Sequence, residues 1–183
     1  GIVAGIGSYV RYKNDVISNV TIPPDLLSDL TDYFLTAGIP CFFEGDTEVF
    51  RMNLEETFDD IPMRIIDRNH NFTSTYKDAR ITKLTPVNRL SATDVTFLDK
   101  HFTVIEHDSY AEIAMKGCSK SRGMFLMLDH LGIDRKNSIA IGDSTNDLDM
   151  LQAAGTSIAM ANAAADIKAV CDHVTGDVGS AGV

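Results

Sequence analysis

Residues 138–151 read SIAIGDSTNDLDML, and this stretch decides the fold. An apolar run over residues 138–141 predicts a short buried strand that ends at Gly142. A helical pattern follows at once over residues 146–154 and ends at Gly155. A strand that passes directly into a helix is the unit from which parallel sheets are built.

The same order continues on both sides of this stretch. A helix is predicted over residues 120–131, ended by Gly132, and a strand over residues 156–160. The next helix is predicted over residues 163–171, with Asn162 as its N-cap. Short apolar strands that alternate strictly with helices are typical of a doubly wound parallel sheet, whose ligands gather at the carboxyl ends of the strands.

The preceding part of the chain has a different pattern, which predicts a separate α/β unit. A Pro-Pro pair opens an amphipathic helix that stops at Gly38, and a second helix is expected near residues 93–100, capped by Ser91 or Thr93. Strands are expected at 2–4, 9–12, 39–44, 48–52, 81–84, 102–107 and 110–115, with a hairpin at 108–109 and an irregular stretch at 55–77. We expect residues 1–8 to be a core strand that enters this unit, the unit itself to span 9–116, and a partial core to span 117–183.

Composition excludes several classes of protein. Of 183 residues 44% are hydrophobic, and 16 Lys and Arg against 26 Asp and Glu leave a formal charge of −10. An acidic chain without a basic patch is not expected to bind nucleic acid, and no run reaches the ~18 apolar residues of a membrane span. The opening residues have no basic segment before them and do not form a signal peptide, so we expect a cytoplasmic protein. Three scattered cysteines predict neither a disulfide framework nor a zinc site.

Two carboxylates converge just beyond the strand of residues 138–141. Asp143 follows the strand end, and Asp147 lies four residues later, where both can face one small volume. This arrangement suits a magnesium ion, which prefers a few carboxylate oxygens together with water and a substrate phosphate. The alternative is that acids decorate a helix N-terminus because of its dipole, which explains Asp147 well and Asp143 less well.

Lys120 lies at the start of a predicted helix, where the positive end of the dipole disfavours a cation by up to about 1 kcal/mol. A negative group is therefore expected nearby. A phosphate held by Lys120 and by backbone N–H groups would supply it, and Gly117 would let the chain turn sharply into such a site. The alternative is a solvated surface lysine beside Lys116 and Arg122.

In order along the chain, these segments resemble the haloacid dehalogenase-like (HAD) phosphohydrolases, and among them the Cof-type branch with a large C2-type cap. GCSKSRGM (117–124) is similar to the third family motif, and GDSTNDLDML (142–151) to the fourth. AMANAAADIKAVCDHVT (159–175) is similar to the strand, loop and helix that follow. IVAGIGSYV (2–10) resembles the entry into the cap, although the family usually has Asn where this chain has Ile6.

The resemblance implies a magnesium-dependent phosphatase that acts on small phosphorylated metabolites, such as sugar phosphates, through an aspartyl-phosphate intermediate. Lys120 would be catalytic and would hold the phosphoryl charge, and Asn146 would help to bind the substrate. Asp143 and Asp147 would bind magnesium, Asp147 directly or through water. The fold would be a Rossmann-like HAD core with an α/β cap that selects the substrate.

The family's D-x-D-x-T motif, which carries the nucleophile, is not present in the 183 residues. We therefore expect the chain to be an internal portion of a longer protein, inactive by itself, with sheet edges open to self-association or to another polypeptide segment. Two alternatives stay open: a non-catalytic module of the same fold, and a phosphomutase of the same superfamily.

Overall fold

The structure is a computed structural model that describes residues 1–54, 63–66, 79–180 and Gly182. The chain forms two compact units. One consists of Gly1–Ser18 together with Cys118–Val183, and the other, the inner unit, is the intervening segment of the sequence, Asn19–Gly117. The sequence places the start of the inner domain at residue 9, ten residues earlier. Residues 9–12 group with the first unit because they pair with the strand of residues 2–4. Among the described residues, no helix combines the length and apolar character that crossing a bilayer requires.

The regular elements of the described residues are short. The strands are β1 Ile2–Ala4, β2 Tyr9–Tyr12, β3 Asp15–Asn19, β4 Cys41–Gly45, β5 Val49–Met52, β6 Met63–Ile66, β7 Ile81–Pro86, β8 Phe102–Glu106, β9 Ala111–Met115, β10 Ile139–Gly142, β11 Thr156–Ala159 and β12 His173–Val174. The helices are α1 Pro24–Ala37, α2 Ala92–Leu98, α3 Lys120–Leu131, α4 Leu148–Ala153 and α5 Ala165–Ala169.

The inner unit, Asn19–Gly117, is built on a mixed sheet. Its strand order is β6-β5-β4-β7-β9-β8, in which β5 and β6 are parallel and the other neighbours antiparallel. Leu30 and Phe34 of α1 and Leu98 of α2 pack with Phe43 and Ile113 of the sheet, and all five are fully buried. The helices therefore cover one face of the sheet, as the apolar periodicity of α1 predicts.

Local signals determine where these helices begin and end. Pro24 occupies the first turn of α1, where its missing N–H costs nothing, and Gly38 ends the helix with a left-handed φ of 67°. α2 begins at Ser91, whose hydroxyl accepts the N–H of Asp94 while the Asp94 carboxylate accepts the N–H of Ser91. Of the two caps considered from the sequence, Ser91 is the one used.

The other unit contains the parallel sheet β10-β11-β12. Leu151 of α4 and Ile167 of α5 pack with Ala140 and Ala159, which are small residues of β10 and β11. A separate sheet has the order β1-β2-β3, and Gly7 lies in the turn that joins β1 to β2. The parallel strands and their helices match the order that the sequence predicts for this part of the chain.

Several predicted elements differ from the structure. Residues 55–77 are not wholly irregular, because Met63–Ile66 forms β6 and pairs with β5; the remainder of that stretch lies outside the described residues. β3 and β12 were not predicted, since neither carries a clear apolar alternation. The helix expected over 146–154 begins with a 3-10 turn, Thr145–Asp147, and the helix expected over 163–171 is reduced to α5.

Candidate functional site

The site is organised around the loop that follows β10. The strand ends at Gly142, Asp143 is the next residue, and the 3-10 turn leads into α4. A Cβ on Gly142 would lie 2.6 Å from the Cβ of Asp147 and 2.9 Å from its Oδ2. Because such contacts are too short for real atoms, only glycine lets the Asp147 side chain fold back against the strand end.

The Asp147 carboxylate is the centre of a small hydrogen-bond network. Its Oδ2 accepts the backbone N–H of Asp143 at 3.1 Å and that of Ser144 at 3.2 Å, and the Ser144 hydroxyl lies 3.1 Å away. Asp147 is a buried carboxylate, with only 7% of the residue exposed. A charge this deeply buried needs such donors, and they explain why the loop closes tightly before α4.

The ammonium group of Lys120 reaches this loop from the first turn of α3. Its Nζ donates to Asp147 Oδ1 at 2.5 Å and to Asn146 Oδ1 at 3.1 Å. The structure thus brings together three of the four residues singled out from the sequence. The negative group that Lys120 requires at its helix start is supplied by Asp147, so a phosphate is not needed to explain that position.

Electrostatics keep Asp147 ionised. Burial raises the pKa of Asp147, but the hydrogen bond and charge of Lys120, with the N–H groups of Asp143 and Ser144, outweigh burial and hold that pKa below its ordinary value. Asp147 is therefore a carboxylate at neutral pH. Two of the three N–H donors of Lys120 are engaged with described residues, and 31% of its side chain is exposed.

The fourth predicted residue, Asp143, has a different environment. Its side chain is exposed, and Asn162 Nδ2 donates to its Oδ2 at 2.8 Å. Within the described part of the chain, no contact uses the other carboxylate oxygen. The prediction that Asn162 caps the following helix is wrong: the N-cap of α5 is Ala164, without a side-chain hydrogen bond, and Asn162 lies two residues earlier with its amide nitrogen on Asp143.

The donors around Asp143 suit magnesium only in part. Among the described residues, no three His, Cys, Asp or Glu side chains come together in a group that could hold a metal ion. Magnesium commonly uses one or two protein carboxylates and keeps water and substrate oxygens for the rest, so an oriented, exposed Asp143 fits that chemistry. Asp147 fits direct ligation less well, since both of its oxygens already accept hydrogen bonds.

Asp149 lies beside the site, although no pattern in the sequence assigned it a role. It lies in the first turn of α4, and its Oδ2 accepts the backbone N–H of Ser121 in α3 at 3.0 Å. In the sequence it is one acid among several near a helix start, where acids are common for reasons of helix dipole alone. Its partner lies 28 residues away, a distance that no local pattern reveals.

The haloacid dehalogenase-like hydrolase family profile matches residues 1–183, the full length of the sequence. The chain belongs to this family. The resemblance seen in the lysine and aspartate motifs is therefore confirmed.

Curated relatives include phosphatases. A phosphoglycolate phosphatase of Methanothermobacter thermautotrophicus is 31% identical over 110 residues, which are 59% of this chain and 50% of that protein. A 5-amino-6-(5-phospho-D-ribitylamino)uracil phosphatase of Bacillus subtilis is 36% identical over 83 residues, 42% of this chain and 31% of that protein. The matches thus span half or less of these two enzymes.

Solved structures confirm the fold. A sugar phosphatase of HAD subclass IIB superposes with a TM-score of 0.79 at 22% identity, over 97% of this chain and 70% of that one. A second HAD phosphatase, from Bacteroides thetaiotaomicron, gives a TM-score of 0.77 at 23% identity, over 97% and 68%. At these identities the likeness establishes the α/β architecture alone.

Proposed function

We propose that the protein containing these residues is a magnesium-dependent phosphatase of small phosphorylated metabolites, and that this chain supplies the lysine and the metal-binding acid of its site. The supporting observation is the ammonium of Lys120, held by Asn146 and Asp147 beside the loop at the carboxyl end of β10. That sheet edge is where α/β folds bind their ligands.

In this proposal Lys120 stabilises charge on the phosphoryl group during transfer. Its two hydrogen bonds fix the ammonium, and its third N–H donor is left for a phosphoryl oxygen. A fixed cation needs no reorganisation as negative charge redistributes over the equatorial oxygens, which is why such groups accelerate phosphoryl transfer. Asn146 holds the lysine through its side-chain oxygen, and its proposed second role is to help bind the substrate.

Asp143 is the proposed magnesium ligand. Asn162 holds one carboxylate oxygen and leaves the other open, as partners outside the coordination sphere commonly do for metal-binding groups. When bound, magnesium would neutralise phosphate charge and orient the phosphoryl group. We assign Asp147 an indirect part, because its carboxylate is engaged with Lys120 and with the loop backbone.

The nucleophile is proposed to come from a further segment of the protein. Hydrolysis through an aspartyl-phosphate needs a carboxylate in the D-x-D-x-T setting, which the 183 residues do not contain. Within the described sheet, β10 lies at an edge, and its residue Ile139 is 66% exposed. An added segment, or a second copy of this chain, could pair with that edge.

The substrate is proposed to be a sugar phosphate or a similar small phosphomonoester. This part of the proposal draws on the curated phosphatases and on the sugar phosphatase of the same fold, none of which is matched over its full length. Release of inorganic phosphate from a panel of phosphomonoesters by the whole protein, with and without magnesium, would identify the substrate class.

Two substitutions test the site in the whole protein. We expect Lys120→Ala and Asp143→Asn each to lower kcat about 100-fold or more, in line with the loss of one preorganised electrostatic group. The matched controls are Lys136→Ala and Asp134→Asn, because these side chains are 78% and 68% exposed and pair only with each other among the described residues.

The turnover of these four variants tests the roles proposed for Lys120 and Asp143. Loss of turnover in both site variants, with wild-type turnover in both controls, supports the assignment. Unchanged kcat in Lys120→Ala would refute it. Phosphate release by the 183-residue chain alone, at the rate of the whole protein, would refute the external nucleophile.

A further inference from the structure

The first turn of α3 has an unusual charge distribution. Helix N-termini favour acids, yet this turn has none and instead carries Lys120 and Arg122. The N-cap Ser119 accepts the N–H of Arg122 at 3.1 Å, which satisfies one of the unpaired donors of the turn. The turn therefore needs a negative group from elsewhere in the structure.

Asp147 meets the charge of the Lys120 ammonium, and Asp149 of the neighbouring helix α4 meets the backbone of the turn. The Oδ2 of Asp149 accepts the N–H of Ser121, the residue directly after Lys120, at 3.0 Å. Burial raises the pKa of Asp149, but hydrogen bonds from the hydroxyls of Ser119 and Ser121 and from backbone N–H groups outweigh it, so that pKa is lowered. Asp149 thus caps, from the neighbouring helix, the helix that carries the lysine.

The segment of residues 146–149 holds both the ammonium of Lys120 and the backbone N–H of the next residue, Ser121. Asp147 and Asn146 contact Nζ, and Asp149, two residues later, contacts the adjacent backbone N–H. Because Asn146, Asp147 and Asp149 are close in sequence, the local backbone fixes the distances between them. A lysine side chain has four rotatable bonds. Holding the adjacent backbone as well as the ammonium group removes conformational freedom that contacts to the ammonium alone would leave.

We propose that Asp149 is a positioning residue for Lys120: by holding the first turn of α3, it keeps the ammonium at the place where the phosphoryl group is bound. This inference rests on the proposed function and adds to it a residue that touches no substrate. Its effect should appear in kcat, since small displacements of a charge-stabilising group are costly in the transition state.

The kinetic test compares three substitutions in the whole protein. We expect Asp149→Ala to lower kcat about tenfold with KM within twofold, because the lysine is still present but displaced. Asp149→Asn should recover most of the loss, since its amide oxygen can still accept the Ser121 N–H. The matched control is Asp166→Ala, another first-turn acid, whose carboxylate accepts only the N–H of Ile167 among the described residues.

A double substitution separates positioning from general destabilisation. If Asp149 acts through Lys120, then Asp149→Ala should cause no further loss in the Lys120→Ala background, which is the non-additivity expected of coupled residues. A further tenfold loss in that background, or wild-type kcat in Asp149→Ala alone, would overturn the proposal.

A measurement without activity keeps the inference distinct from the proposed function. In Asp149→Ala, hydrogen exchange at the Ser121 amide should become at least tenfold faster and the Lys120 side-chain NMR signals should shift, whereas Asp166→Ala should change neither. Unchanged exchange and signals would overturn the positioning role whatever the kinetics. Changed signals together with full turnover of Lys120→Ala would show that Asp149 positions the lysine and would refute the catalytic role proposed for Lys120.

Discussion

The contact between Lys120 and Asp147 yields the most demanding prediction. We replace the two residues singly and together, as Lys120→Met and Asp147→Asn, which keep approximate volume and remove one charge each. The coupling energy of this double-mutant cycle measures the ion pair itself, separately from other effects of each substitution.

The structure sets the expected magnitude. Two unit charges 2.5 Å apart attract by about 7 kcal/mol at an effective dielectric constant near 20, before the cost of desolvation. Exposed pairs retain about 0.2–1 kcal/mol, and loss of one partner of a fully buried pair costs about 3–5 kcal/mol. Since the Asp147 side chain is 9% exposed and that of Lys120 is 31% exposed, we expect a coupling energy of about 2 kcal/mol.

The assay is urea unfolding followed through amide NMR signals of α3 and β10, which report on the compact unit that contains the pair. The matched control is the Lys136 and Asp134 pair, 3.0 Å apart with side chains 78% and 68% exposed. Its cycle, built with the same two kinds of substitution, should give about 0.5 kcal/mol or less.

The comparison of the two coupling energies tests whether Asp147 holds Lys120. Equal coupling energies in the two pairs would show that Lys120 is not held by Asp147 in solution. That result would remove the geometric basis for placing the ammonium at a phosphoryl site.

Three further predictions concern single positions. Gly142→Ala should cost about 1–3 kcal/mol in the free energy of unfolding and lower activity, because its Cβ would lie 2.6 Å from that of Asp147; an unchanged urea midpoint would contradict this. Asn162→Ala should weaken magnesium binding to the whole protein about 10–100-fold, measured by calorimetry, by releasing the candidate magnesium ligand that it orients; unchanged affinity would exclude that role. Asp94→Ala should cost about 1 kcal/mol at pH 7 by removing the side-chain acceptor of the Ser91 N–H in the capping box and of the Tyr33 hydroxyl. Burial raises the Asp94 pKa but hydrogen bonds lower it overall, so this penalty should be present above pH ~4 and fade as the pH falls through the folded-state pKa; a penalty constant with pH would refute it.

The sequence predicted well those features that depend on neighbouring residues. The helix of residues 24–37 ends at Gly38, and that of residues 120–131 ends at Gly132, both with left-handed glycines. The hairpin at 108–109 joins two antiparallel strands as expected. Such elements are set by apolar period and by the φ that glycine tolerates, which are local properties of the chain.

Several of the missed features depend on partners distant in sequence. β6 forms because β5 offers it an edge, although Met63–Ile66 carries no strong pattern of its own. Asn162 was expected to cap a helix and instead contacts Asp143, 19 residues earlier. A side-chain amide can satisfy either need, and only the packed structure selects between them.

For the candidate site, the sequence alone established which chemical groups are present: a lysine at a helix start and two acids beyond a strand. Tertiary structure decided how they are used. It joins the Lys120 ammonium to Asp147 across 27 residues, leaves Asp143 exposed beside Asn162, and brings in Asp149 to hold the lysine's helix. The physical reason is that an ion pair or a hydrogen bond depends on separation in space, and residue type limits only which groups can form one.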